Sequence, residues 1–248
     1  MSTEPTPTRR PIAGIRVSTV ALLGVVAAIV IPCGAAALVV SGSIDSKQTQ
    51  QTINQVGPVT RVVVEDSNST VRITGSAALS GVSGKVDLTW HTFGGTAHPK
   101  VTQQYADGVL TLSKDCGSSE CSANIDIQVP PTVSVQVTTS NAGIYVNDVS
   151  GPVNLHSSNA GIEAKQLGSG DAVMNTSNAG IKASFVGGPT TITAATTNAG
   201  VTIVTDGHTI YYDKVSTTNA DPNLQNPQDR RSNNVIDVTT TNAGVTIK

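Results

Sequence analysis

From Val59 onward apolar and polar residues alternate in short runs bounded by Asn, Gly, Ser or Pro, which is the two-residue period of a β-strand with one face buried. The runs are indexed by a recurring corner, Ser/Thr-Asn-Ala-Gly-Ile/Val, at Asn141, Asn159, Asn178, Asn198 and Asn242, with a damaged copy at Asn219. The steps between successive asparagines are 18, 19, 20, 21 and 23 residues. Six and four positions before each intact Asn stand Val135/Val137, Val153/Leu155, Ala172/Met174, Ile192/Ala194 and Ile236/Val238. Three and five positions after it stand Ile144/Val146, Ile162/Ala164, Ile181/Ala183, Val201/Ile203 and Val245/Ile247. Each Asn is therefore expected at a corner between two strands whose alternate residues face a core, with the Gly two positions on supplying a positive φ.

A step of about 19 residues has a contour near 60 Å at roughly 3.3 Å per residue, enough for one coil of a β-solenoid with three short sides. Coils stacked roughly 4.8 Å apart would set Asn on Asn and Ser/Thr on Ser/Thr, so their amides could hydrogen-bond along the stack. An antiparallel sandwich or prism is the rival; it shares the alternation but gives no reason for one tripeptide at every corner. An earlier copy, Ser67-Asn68-Ser69-Thr70-Val71-Arg72-Ile73, carries Val62 and Val64 at the right offsets. The predicted ladder is thus Asn68, Asn141, Asn159, Asn178, Asn198 and Asn242. Between Asn68 and Asn141 lies an excursion with Val86–His91 and Val109–Leu112 as hairpin strands, expected to cover the N-terminal end of the stack. Asn219 has Asp213 and Pro222 where apolar residues belong, so residues 221–234 are expected to loop out. The last coil, ending at Lys248, is expected to lie uncapped and to favour self-association.

One segment breaks the alternation. Val17–Val40 is about 24 residues without a charge, long enough for a transmembrane helix. A cleaved signal peptide is the alternative, with Ala35-Ala36-Ala37 the nearest cleavage site. Cys33 follows Pro32, which does not suit a lipobox. Arg9, Arg10 and Arg16 precede the span, which predicts a cytoplasmic N-terminus and an extracellular bulk. The expected organisation is a cytoplasmic tail at 1–16, the span at 17–40, a linker or stalk at 41–58 and an extracellular β domain at 59–248.

Composition adds two points. Fifteen basic against 17 acidic residues argue against a nucleic-acid partner. Aromatic residues are only 3% of the chain, which suits thin stacked coils better than a thick sandwich. Cys116 and Cys121 flank a Gly/Ser-rich loop between strand-like runs, and a disulfide is expected there, two free thiols being the alternative.

Candidate chemistry is sparse. His91, His98, His156 and His208 belong to no catalytic or metal-binding pattern, Glu65-Asp66 reads as solvated, and no cofactor is implied. Trp90, Phe93 and Tyr105 gather large aromatics in the excursion, either as an interaction surface or simply as cover for the stack end.

The run Val64-Glu65-Asp66-Ser67-Asn68-Ser69-Thr70-Val71-Arg72-Ile73-Thr74-Gly75, the Asp107-Gly108-Val109-Leu110 strand start, the Cys116/Cys121 loop, the Val129-Pro130 turn and the serial corners together resemble the bacterial adhesin-like family of domains of unknown function. The resemblance spans Val59 to Lys248 and implies a β-solenoid-like fold without catalytic residues. The corners here are Asn-Ala-Gly where that family commonly has acidic ones. The resulting expectation is a non-enzymatic, membrane-anchored surface protein that meets an unidentified surface protein or glycan. An extracytoplasmic accessory or sensor of envelope stress, relaying through a partner membrane protein, is the alternative.

Overall fold

The computed structural model describes residues 45–92, 98–117 and 120–248. The expected tail and membrane span, Cys33 and Phe93 lie outside the described residues. Among the described residues no helix is long and apolar enough to cross a membrane.

Regular structure in the described part is all strand. The chain enters on β1 (Asp45–Gln55) and makes a first coil from β2 (Arg61–Glu65) and β3 (Ser69–Gly75) around Asn68. The excursion strands β4 (Val82–Thr92) and β5 (Lys100–Ala106) follow, then β6 (Val109–Asp115) and β7 (Cys121–Val129). Regular winding begins with β8 (Ser134–Thr139) and β9 (Ile144–Asn147), β10 (Val153–Ser157) and β11 (Ile162–Leu167), and β12 (Ala172–Thr176) and β13 (Ile181–Phe185). It continues through β14 (Thr191–Thr196) and β15 (Val201–Val204), β16 (Tyr212–Thr217) and β17 (Asn223–Leu224), and β18 (Val235–Thr240) and β19 (Val245–Ile247).

Each coil gives its first strand to a nine-stranded sheet, ordered β16-β18-β14-β12-β10-β8-β2-β6-β5. Its second strand joins a ten-stranded sheet, ordered β1-β4-β7-β3-β9-β11-β13-β15-β19-β17. A coil therefore has two sheet sides and not three, because the turns at both of its corners use the remaining contour. Pairing between coils is parallel and in register, so inward residues stack in columns. One column runs Val71, Ile144, Ile162, Ile181, Val201, Val245. The facing sheet has Val62, Val135, Val153, Ala172, Ile192, Ile236. All twelve are at most 3% exposed and belong to one apolar cluster, so small β-branched side chains suffice to fill the gap between the sheets.

Spatial order departs from chain order at both ends. β8 and β9 pair with β2 and β3, so β6 and β7 lie outside the first coil. At the other end β18 and β19 slip between β14/β15 and β16/β17. The coil that ends near Lys248 is therefore covered, which corrects the expectation of an uncapped chain end. The outermost coil is the one around Asn219, and residues 221–234 do not simply loop out, since β17 pairs with β19 and Tyr211 bridges to Gln228.

Antiparallel strands close the first-coil end. β4 pairs with β7 and β1 with β4, while β5 pairs with β6. Segment 41–58, read from sequence as linker, thus contains an 11-residue strand whose Ile53 is fully buried. Gln51 ties the two sheet edges together, its amide nitrogen donating to the Val101 carbonyl at 2.6 Å and its oxygen accepting from the Val101 N–H at 3.0 Å.

Candidate functional site

The corners form one continuous edge. Asn219 Nδ2 donates to Asn242 Oδ1 at 2.9 Å, Asn242 to Asn198 at 2.8 Å, and Asn198 to Asn178 at 2.7 Å. Asn178 then donates to Asn159 at 2.7 Å, Asn159 to Asn141 at 2.7 Å, and Asn141 to Asn68 at 2.8 Å. Seven exposed amides are linked with their dipoles aligned, an arrangement in which each bond polarises the next. Asn219, damaged in its flanks, is a full member.

A second column lies just inside. Thr139, Ser157, Thr176, Thr196 and Thr240, two positions before the corner Asn, are at most 5% exposed. The hydroxyls of Thr176, Thr196 and Thr240 donate to the carbonyls of Ala160, Ala179 and Ala199 in the neighbouring coil, at 3.2, 3.0 and 3.2 Å. These residues continue the inward positions six and four before each Asn, so they are buried architecture and not outward decoration.

The corner glycines serve a different need from the one expected. Among the described residues positive φ occurs at Gly57, Gly108, Gly117 and Gly207, and at Asp107, Asp148 and Gln166, but at none of the Asn-Ala-Gly corners. A Cβ on Gly161, Gly180 or Gly200 would instead stand 3.3, 3.2 or 3.1 Å from the glycine carbonyl of the next coil. At these three corners close approach of stacked backbones, and not handedness, selects Gly.

Past Asn68 the corner changes chemistry. The next coil, β6/β7, turns through a Cys116–Cys121 disulfide with its Cα atoms 5.6 Å apart. Asp66 occupies the position that holds Ser or Thr elsewhere, and pairs with Lys114 at 2.7 Å, the two side chains being 2% and 4% exposed. The Ser69 hydroxyl and the Asn68 N–H also donate to Asp66. Asp66 is therefore a buried ion-pair member, not the solvated carboxylate expected from its turn; Glu65 beside it is exposed.

No family model matches the sequence, and no curated protein matches it. Solved structures do. The chain is similar to a "putative cell adhesion protein" from Clostridium sporogenes at 11% identity, covering 82% of this chain and 98% of that one with a TM-score of 0.48. It is also similar to a "putative adhesin" from Parabacteroides merdae at 12% identity, over 84% and 98% of the two chains, TM-score 0.33. A third, a "putative adhesin" from Bacteroides fragilis, has 10% identity over 81% and 96%, TM-score 0.29.

The excursion aromatics separate. Trp90 is only 7% exposed and lines the inner face of β4, whereas Tyr105 is 42% exposed and donates its hydroxyl to the Pro58 carbonyl at 2.8 Å. His91, His98, His156 and His208 are all exposed and scattered. Among the described residues no group of three or more His, Cys, Asp or Glu side chains is disposed to hold a metal ion.

Polar groups without partners concentrate elsewhere, in the outermost coil. In β16 the inward positions paired with Ile236, Val238 and Thr240 hold Asp213, Val215 and Thr217. Tyr211 and Asp213 line an open cavity of about 600 Å³, together with Val215 and Leu224 and a rim that includes Lys214, Asp229, Arg230 and Asp237. Asn226 Nδ2 donates to Asp213 Oδ1 at 3.3 Å. Asp213 Oδ2, Asn226 Oδ1 and the Tyr211 hydroxyl are buried without a hydrogen-bond partner. Burial raises the Asp213 pKa, with the Asn226 amide opposing it. Burial and the nearby charges of Asp206 and Asp213 push Tyr211 up to about 12, against a lowering contact from Thr209. The signal in the sequence was Asp213 standing where the repeat demands an apolar residue; Tyr211 and Asn226 fall outside the repeated offsets and carried none.

Proposed function

We propose that this chain is a membrane-anchored, non-enzymatic surface protein whose extracellular solenoid acts as a rigid adhesin-like stalk and contact surface. The observation that carries the reading is the seven-membered asparagine edge, which spends the repeated polar residues on architecture and keeps the coils in fixed register. A stack tied along its backbone, its buried hydroxyls and its exposed amides resists bending, which suits presentation at a distance from an anchor. The anchor itself is the uncharged stretch Val17–Val40, with the N-terminus in the cytoplasm and the bulk outside. The binding partner is an unidentified surface protein or glycan.

Intact cells carrying the chain are treated with protease and then fractionated. Loss of the solenoid from intact cells, with a short membrane-held remnant, is expected; protection of the solenoid until lysis would reject the surface reading. Beads coated with the full chain in lipid nanodiscs should then retain cells or wall fragments above empty nanodiscs.

A second reading, an extracytoplasmic accessory or sensor working through a partner membrane protein, draws on the outermost coil, whose unpartnered polar groups have the character of a ligand site. Co-purification of one stoichiometric membrane partner distinguishes it from simple adhesion.

A further inference from the structure

The outer face of the ten-stranded sheet is regular except at one place. Thr74 of β3, Asn147 of β9 and Lys165 of β11 stand side by side in register. Next to them β11 carries an extra residue: Ala164 pairs with Ala183 and Leu167 with Phe185, so Lys165 and Gln166 together oppose Ser184 of β13. The bulge holds Gln166 at a φ of 53°, and Asp148, just past the end of β9, has 58°. These are two of the three residues other than glycine with positive φ among the described residues. The Gln166 N–H donates to Ser184 Oγ at 3.1 Å, and the Asp148 N–H to the Lys165 carbonyl at 3.1 Å. Because β13 and β15 pair without any such shift, the repeat itself does not demand this strain.

All of these residues meet. Thr74, Asn147, Asp148, Lys165, Gln166 and Ser184 line one open cavity of about 420 Å³. Lys165 is paired with Glu163, whereas the side chains of Thr74, Asn147, Asp148 and Gln166 make no hydrogen bond or ion pair with the described residues.

We propose that this cavity binds a neutral saccharide unit of a surface glycan. The Asp148 carboxylate and the Asn147 and Gln166 carboxamides are planar groups that can each engage two adjacent hydroxyls, the first accepting and the others also donating. Thr74 and Ser184 add hydroxyls of their own. Donors and acceptors are thus mixed over one small surface, and a ring of hydroxyls, each able to give and to take, matches such a mixture. A smaller cavity of about 190 Å³ shares Lys165 and Ser184 and is lined also by Val204, Ala183 and Lys182. There the C–H face of a pyranose can lie on methyl groups and lysine stems.

Charged ligands fit less well. Asp148 has no ion pair and repels phosphate, sulfate or uronate, while Lys165 already answers Glu163. Calcium takes six to eight oxygens and finds one carboxylate beside an ammonium. An amine meets Lys165. A neutral ligand is indifferent to this balance. The proposal chooses the glycan over the protein partner, and rests on the surface reading only for where the saccharide is met.

The full chain in lipid nanodiscs is titrated with cellobiose, lactose, mannobiose and N,N′-diacetylchitobiose and read by saturation-transfer difference NMR. Digalacturonate is the anionic comparison and empty nanodiscs are the blank. Saturable transfer to at least one neutral disaccharide, with none to digalacturonate, is the expected result. Asp148→Gly and Gln166→Gly remove side chains at positions whose φ suits glycine, so both variants stay folded, as circular dichroism checks. Each should weaken binding by roughly fivefold or more. Asn154→Ala, exposed on the other sheet, should change nothing. No saturable neutral sugar, digalacturonate bound equally well, or undiminished binding in both folded glycine variants would each overturn the proposal. Beads coated with the nanodiscs are then offered cells whose glycans have been oxidised with periodate. Lost retention supports a glycan partner, and retention that survives periodate but not protease treatment overturns it. Sugar binding without retention of untreated cells would leave the site standing and reject adhesion.

Discussion

The side chain of Asn178 makes two ladder bonds, donating to Asn159 and accepting from Asn198, whereas Asn68 only accepts, from Asn141. Asn178→Ala should therefore cost about 1 to 2 kcal/mol and Asn68→Ala less, because water can replace lost partners at an exposed edge. Denaturant unfolding of the two variants side by side checks the order; equal losses would mean that the ladder adds nothing. Gly180→Ala places a methyl 3.2 Å from the Gly200 carbonyl and should cost about 1 to 3 kcal/mol by spreading two coils. Lys114→Ala strands Asp66 in the interior, with an expected loss of about 3 to 5 kcal/mol. Restoring the repeat with Asp66→Thr and Lys114→Met together should recover most of it, and a double variant as unstable as the single one would show that the pair is not the cause.

Among elements, the outermost coil is the one built to stop. β16 carries Asp213 at an inward position, and an inward charge on an edge strand opposes the docking of another strand or chain. Asp213→Val should extend the apolar column past Ile236 and promote association, read as a concentration-dependent rise in sedimentation coefficient. The same carboxylate makes stability depend on pH. Its folded pKa lies above the ordinary 3.8, so the native state holds the proton more tightly than the unfolded chain. The resulting penalty is absent below that ordinary value, grows as pH rises from it through the folded pKa, and is complete at neutrality. Asp213→Asn is thus expected to raise the melting temperature at pH 7 and to lose that advantage near pH 3. A gain that persists unchanged at the lower pH would point to another cause.

At the scale of the whole molecule the consequence to test is the inverted order of the last two coils. Among the described strands β16 pairs only with β18, and β17 only with β19, so removing residues 235–248 should release an additional coil that remains in the chain. Hydrogen exchange would read this as lost protection across 212–217 in the truncated protein; retained protection would contradict the topology. The inward offsets around each corner, the stacking of like residues and the place of the disulfide all follow from local periodicity, because strand alternation and turn chemistry are written within about twenty residues. Order of stacking is not local. The column residues of β6/β7 and β18/β19 are as apolar as those of their neighbours, so either sequence of docking satisfies the pattern, and only the competing fits of whole coils and caps choose between them. Asp66 and Lys114 are equally illegible, being 48 positions apart and joined only when β6 lies beside β2. The corner glycines show the same division. Their places are set by the repeat, but for Gly161, Gly180 and Gly200 the reason, a neighbouring glycine carbonyl 3.1 to 3.3 Å from where a Cβ would stand, exists only once two coils are stacked.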